Sequence, residues 1–388
     1  MLVLLLLVSL SFGVTLDEAL KKALEKNLYL KALRQELKAF EGRKRAARAL
    51  ENPELNFESG FVYTSDGSGP QGRFLYLAEL AQPLPLWGVR SRRLAVVEAQ
   101  ELAAKEELRG AEKETLGRVY EAFAEALYRK ELLRIAREEL KLAFELERFV
   151  EKAYELGGAT LLDYLRAKRE RRLVQTDLKL AEKDYRRALK ELSALLAEKV
   201  DGVEGRLESV KPLKPFKPSN SPLVRRWAFK EEELKRAVKL ERALAKPPLS
   251  VGLLVEDAGA YYGLRLTFSS RLPLFYRRQG EILEKTALLE GVRLKRRNAE
   301  YRLKLELESL KDRYAVLKKE LEFFEKELLP GAEEELEVAL RGFRLGTVSF
   351  FELIDARRRY YELLRRRAEL YRGLHGLYAR FIALGGEP

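Results

Sequence analysis

The 388-residue sequence has no cysteine, one methionine, one histidine and two tryptophans. Without cysteine there is no disulfide, no thiolate metal site, no cysteine nucleophile and no N-terminal cysteine to carry a lipid. The single histidine, His375, lies between Gly373 and Gly376 and reads as a helix residue rather than a catalyst. No P-loop, no G-x-S-x-G and no metal-ligand cluster occurs, so no enzyme activity, cofactor or bound metal is expected. No apolar run reaches the roughly 18 residues that a membrane-spanning helix requires.

What is abundant is charge. Asp, Glu, Lys and Arg make up 35% of the chain, and the formal net charge is +13. Glu, Lys and Arg are good helix formers and predict long exposed helices. With so little Met and Cys, this composition suits a heat-adapted source. The basic excess would fit nucleic acid or anionic lipid headgroups. Its residues are interspersed with acids, however, which favours solvated helix faces and no nucleic-acid partner. The opening MLVLLLLVSLSFG is a short apolar run ending in small residues, and it predicts a signal peptide over residues 1–13. Thr15 then caps the first helix.

The chain repeats itself. YELGGATLLDYLRAKR at 154–169 aligns with FRLGTVSFFELIDARR at 343–358 at a shift of 189. QPLPLWGVR at 82–90 aligns with SRLPLFYRR at 270–278 at a shift of 188. The two matches predict an internal duplication, with structural repeats over 14–200 and 221–388. Residues 201–220, rich in Pro, Gly and Lys, form the linker or equatorial region between them. Each repeat predicts a helix (15–50; about 221–246), two strands, a long helix (about 89–156; about 277–345) and a return helix. At 1.5 Å per residue each long helix measures roughly 100 Å. Gly157 and Gly346 stand where a left-handed residue ends a helix. Thr160 and Ser349 cap the next one. The glycines are thus the tips of two long antiparallel helical hairpins.

Between the helices, polarity alternates with period two, the signature of a strand with one apolar face. Leu55, Phe57, Phe61 and Tyr63 alternate with Asn56, Glu58 and Gly60, and Tyr262, Leu264, Leu266 and Phe268 with Gly263, Arg265 and Thr267. Leu249, Val251, Leu253 and Val255 do the same with Ser250, Gly252 and Glu256. Residues 73–82 fit less cleanly, because Leu75 and Leu77 fall on the polar side. The G-x-G-x-x-G match at Gly67–Gly72 is followed by a strand, so it reads as a hairpin loop and not a dinucleotide site. Asp257-Ala258-Gly259 turns the second pair. Four strands of about ten residues have membrane-spanning length, yet open edges are forbidden in lipid. Two copies would close eight strands around a filled interior; three would close twelve around a pore. The competing reading, two hairpins of a soluble α+β domain, leaves the signal peptide and the flanking long helices unexplained.

The order and spacing of TLDEALKKALEKNLYLKALRQELKAFEGRKRAAR, QPLPLWGVRSRR, SRLPLFYRRQ and the two tip phrases resembles the TolC family of outer-membrane efflux channels. The opening and the proline phrase look most like its heavy-metal efflux branch, the CzcC- and CusC-like proteins. The resemblance implies a mainly α fold with a small β part. Long antiparallel hairpins form a periplasmic α-barrel, and four membrane strands per chain contribute to a trimeric twelve-stranded β-barrel. It implies a homotrimeric, passive outer-membrane conduit for small molecules or metal ions, fed by an inner-membrane pump through a periplasmic adaptor. It further implies that Gly157, Gly158, Ala159, Gly346, Thr347 and Val348 meet the adaptor. Glu352 and Asp355, one helical turn apart, would ring the periplasmic aperture, and Asp163 would help to hold it shut. The chain departs from the family at Phe343, where a tyrosine partner of that acid is usual, and at Val348, where an arginine is usual. An adaptor, with one hairpin between β domains, would not account for two hairpins. A basic coiled-coil nucleic-acid binder would not account for the strands.

Overall fold

The computed structural model describes residues 13–64, 71–257 and 262–388. The predicted signal peptide, apart from Gly13, and the centres of both predicted hairpin loops lie outside the described residues. In chain order the elements are α1 (Leu16–Lys26), α2 (Leu28–Arg48), β1 (Glu54–Thr64), β2 (Gln71–Leu84), α3 (Val89–Glu155) and α4 (Leu161–Leu196). The second half follows with α5 (Pro222–Leu244), β3 (Leu249–Asp257), β4 (Tyr262–Ser270), α6 (Gln279–Phe323), α7 (Leu329–Leu345) and α8 (Phe350–Ala383).

Two expectations are corrected. The helix expected over 15–50 is broken at Asn27, whose backbone leaves the helical region (φ −59°, ψ 119°). Its Oδ1 accepts the Leu30 N–H at 3.1 Å, so the side chain ends α1 and caps α2. The helix expected over 277–345 passes through a π turn at Phe324–Leu328 before α7 resumes with Pro330 in its first turn. Elsewhere the caps are those the sequence implies. Thr15 and Glu18 form a reciprocal capping box at the start of α1.

The chain forms two compact units, and each draws on both repeats. One comprises Met1–Ala32, Leu108–Ser221 and Tyr301–Pro388; the other comprises Leu33–Glu107 and Pro222–Glu300. The first unit holds both helical hairpins. Its core is the apolar stripes of four helices, with Leu146 of α3, Leu336 and Ala339 of α7, and Leu353 and Ala356 of α8 packed together. His375 is buried there, its Nε2 2.8 Å from Leu207 O and its Nδ1 2.9 Å from the Tyr120 hydroxyl. A carbonyl only accepts, so Nε2 carries the proton and Nδ1 accepts from Tyr120. The region 201–220 is packed rather than free. Val203 pairs with Val14 in a parallel bridge, Lys130 Nζ donates to Val203 O at 2.8 Å, and Leu207 is buried.

The second unit contains one antiparallel sheet in the order β1-β2-β3-β4. Its register aligns Leu55, Leu80, Leu253 and Leu266 across the four strands, and likewise Phe57, Ala78, Val255 and Leu264. That face is exposed almost throughout: Phe57 is 64% and Phe268 69% accessible. The other face is polar. Asn56, Glu79, Leu254 and Arg265 form one row. Asn56 Nδ2 and Thr267 Oγ1 both donate to the Glu79 carboxylate, at 3.4 and 2.5 Å, and Arg265 pairs with Glu256. Leu77 faces Glu58 and Glu256 on that side, as the sequence pattern implied. A Cβ at Gly252 would lie 2.5 Å from Thr267 Oγ1 and 3.0 Å from Glu79 Oε1, so glycine leaves room for this cluster. Among the described residues the outer edges of β1 and β4 have no partner strand. Among the described residues no helix is long and apolar enough to cross a membrane.

Candidate functional site

The two hairpin tips close by the same local chemistry. In the first, Gly157 (φ +79°) lets its N–H reach Tyr154 O at 3.0 Å, while the Gly158 N–H reaches Ala153 O at 2.7 Å. In the second, Gly346 (φ +75°) donates to Phe343 O at 3.1 Å and Thr347 to Gly342 O at 2.9 Å. This double closure satisfies the last helical carbonyls and requires a left-handed residue at the glycine. Among the described residues nothing lies within 4 Å of a Cβ built on either glycine. Gly157, Gly158, Gly346 and Thr347 are exposed, as are the apolar side chains Leu156 and Leu345 beside them. Ala159 and Val348 turn inward instead. Ala159 packs against the Val150, Ala167, Phe350 and Ile354 cluster, and Val348 against the Leu146, Leu336 and Leu353 cluster.

The three acids carried over by resemblance have definite partners within the chain. The Asp163 carboxylate accepts from Thr160 Oγ1 at 2.7 Å and its N–H donates to Thr160 Oγ1 at 3.1 Å, a capping box at the start of α4. Arg166 stands 3.9 Å away. Glu352 does the same for α8: Ser349 N and Oγ both donate to its Oε2 at 2.8 Å. Those two donors hold the exposed Glu352 carboxyl below the usual range. Asp355 is half-buried and paired with Arg359 at 2.8 Å. Phe343, where a tyrosine is usual, is a piece of core, with its ring 5.5 Å from Phe149 and 5.7 Å from Phe350. Asp163 is thus held by Thr160 and Arg166, while Phe343 serves packing.

Sequence reasoning missed the strongest polar feature of this unit. Glu170 of α4 binds Arg357 of α8 at 3.0 Å and Arg358 at 2.5 Å. The Glu170 and Arg357 side chains are 6% and 1% accessible. Further along, Arg365 of α8 pairs with the buried Glu139 of α3. A cleft of about 310 Å³ runs between these charges, lined also by Asp177 and Glu362. The signal was present in the two triple-arginine runs of α8, 357–359 and 365–367, eight residues apart. Eight residues is a little over two turns, so the runs share one face.

Four antiparallel strands with one apolar and one polar face, in a chain that also carries two long helical hairpins, are the architecture of a membrane channel protein. The family model described as "Outer membrane efflux protein" matches residues 19–198. That match spans a little under half of the chain, and over it the chain is similar to outer-membrane efflux proteins. Among curated proteins it is similar to the cobalt-zinc-cadmium resistance protein CzcC of Cupriavidus metallidurans. That relative is 24% identical over 365 residues, which cover 90% of this chain and 84% of CzcC. Among solved structures its fold is similar to that of CusC, with a TM-score of 0.79 at 17% identity over 97% of this chain and 94% of that one. VceC of Vibrio cholerae gives a TM-score of 0.74 at 17% identity over 96% of each chain.

Proposed function

We propose that three copies of this chain form a passive conduit, joined through a periplasmic adaptor to an inner-membrane pump, and that its cargo is divalent metal cations. The observation that carries the trimer is the sheet: its two unpaired edges and exposed apolar face suit lipid only when other copies close the ring. Three copies supply twelve strands, enough for an aqueous lumen, whereas two supply a filled eight-stranded barrel. The polar face bearing Asn56, Glu79 and Thr267 would line that lumen. Similarity to a cobalt-zinc-cadmium resistance protein supports the choice of cargo.

In this reading the exposed tips at Gly157, Gly158, Gly346 and Thr347 receive the adaptor's helical hairpins. Ala159 and Val348 back them from within. Glu352 and Asp355 contribute to the narrow periplasmic mouth and Asp163 stands nearby on the other hairpin. The chain forms and breaks no bonds. Mass measured by light scattering in detergent tests the reading. The expected result is a trimer soluble only with detergent; a monodisperse monomer without detergent would overturn it. Expression beside a cognate pump and adaptor, in cells challenged with cobalt, zinc or cadmium, tests the cargo. Resistance unchanged by deleting the chain would exclude these metals.

A further inference from the structure

The duplication predicts how one copy grips the next. The strand-to-helix phrase of the first repeat finds a seat in the second. Trp87 donates its indole N–H to Pro247 O at 2.8 Å, and Lys246 Nζ lies 4.6 Å from the centre of its ring. Leu86, Leu244 and Leu249 line the same cavity, of about 190 Å³. The phrase also reaches back to its own repeat, where Arg90 donates to Arg48 O at the end of α2.

The second phrase reproduces only the backward half. Arg278, the counterpart of Arg90, binds Glu241 in the last turn of α5 at 2.6 Å. Phe275, the counterpart of Trp87 at the shift of 188, is 96% exposed. A matching seat exists in the same chain. Ala49, Leu50, Pro53 and Leu55 recur as Ala243, Leu244, Pro247 and Leu249 at a shift of 194. Leu50 and Leu55 are 56% and 72% exposed. The strands that flank Phe275 and this corner, β4 and β1, are the two unpaired edges of the sheet.

We propose that Phe275 of one copy docks on the Leu50–Pro53 corner of a second copy, and that the β4–β1 seam between copies repeats the β2–β3 register. The occupant is a second copy because the chain carries both the knob and its seat, related by the transformation that already seats Trp87. The inference rests on the multimeric channel reading and adds its contacts. Carrying the pair Leu84↔Leu249 across by the two shifts sets Leu272 opposite Leu55 of the second copy. Stepping along the antiparallel seam then sets Ser269 opposite Glu58 and Phe268 opposite Ser59. This register keeps the two faces in phase, because a one-residue slip would turn every apolar side chain inward. It also brings Arg271 opposite Asn56, with Glu54 and Glu58 as diagonal neighbours of opposite charge.

The absence of native cysteine makes the seam directly readable. Ser269→Cys is combined in turn with Asn56→Cys, Glu58→Cys and Gly60→Cys, the purified detergent-solubilised protein is oxidised, and disulfide-linked species are resolved by denaturing gel. The Glu58→Cys pair is expected to give the dominant ladder of linked chains. Phe275→Ala is expected to lower the temperature at which the trimer dissociates while leaving far-UV dichroism unchanged, and Phe275→Trp to restore it. A ladder strongest at Asn56 or Gly60, in an intact trimer, would overturn the register. An unaltered dissociation temperature for Phe275→Ala would overturn the anchor. A wild-type chain that remains monomeric in detergent would overturn both this inference and the channel reading.

Discussion

Arg357 of α8 and Glu170 of α4 meet at 3.0 Å with both side chains almost wholly withdrawn from water. Arg358 binds the same carboxylate from the exposed side. Two like-charged arginines converge on one buried acid, and the Nε and one Nη of Arg357 have no hydrogen-bond partner among the described residues. Such a pair contributes little compared with apolar packing, but removing one member strands the other. Replacing Glu170 by Ala would leave Arg357 uncompensated and is expected to cost about 3–5 kcal/mol. Replacing the pair together by Leu and Met should cost far less. Thermal unfolding of the three proteins in detergent measures both, and equal losses for the single and double variants would contradict the burial argument.

At the tips, strain and contact separate cleanly. Gly157 and Gly346 both have positive φ, yet a Cβ at either meets open space. Their replacement by Val is expected to strain the local fold by about 1–2 kcal/mol. Assembly should survive, while cross-linking to the adaptor and export should fall. Full export with either variant would reduce the tips to ordinary turns.

The acids beyond the tips make a prediction about ions. If Glu352 and Asp355 of three copies converge at the mouth, the channel in planar bilayers should select cations over anions. The two Ser349 donors hold Glu352 ionised below the usual carboxylate range. Convergence of like charges in the trimer pushes the other way. Selectivity should weaken as acid protonates the Glu352 carboxyls. Glu352→Gln with Asp355→Asn is expected to abolish most of it. Gln retains the capping geometry at the start of α8, so the trimer should persist. Unchanged selectivity in the double variant would remove both residues from the mouth.

His375 supplies a pH dependence of stability. Burial pushes its pKa below the ordinary imidazole value. The unfolded chain therefore binds a proton near pH 6.5 while the folded one still refuses it. Its contribution is present above that pH and is lost progressively as pH falls towards the folded pKa. His375→Gln should flatten the stability profile below about pH 6.5. A profile identical to wild type would show that other groups set the slope.

Much of this architecture is legible in the residues because its determinants are local. A glycine followed by Thr160 or Ser349 and an acid three residues on encodes a complete tip, since every hydrogen bond falls within six residues. Period two in the strands encodes which face is apolar, including the polar-side position of Leu77. What was not legible depends on distance along the chain. Arg357 reads as one charge in an arginine-rich helix until α4 brings Glu170 to it from 187 residues away. Ala159 and Val348 read as tip residues until the packing of four helices turns them inward. The break at Asn27 was local, but an asparagine inside a helical pattern is weak evidence until its side chain is seen to cap.

The π turn at Phe324–Leu328 lies in the second of the two repeats. Arg90 and Gly157 are 67 positions apart, whereas their counterparts Arg278 and Gly346 are 68 apart. The second repeat is thus one residue longer between these points. In an ordinary α-helix one added residue turns everything after it by about 100°. A π turn absorbs one residue without passing that rotation on. One such turn is enough to offset the extra residue, and beyond it both hairpins reach their tips with glycine, cap and acid at the same spacing.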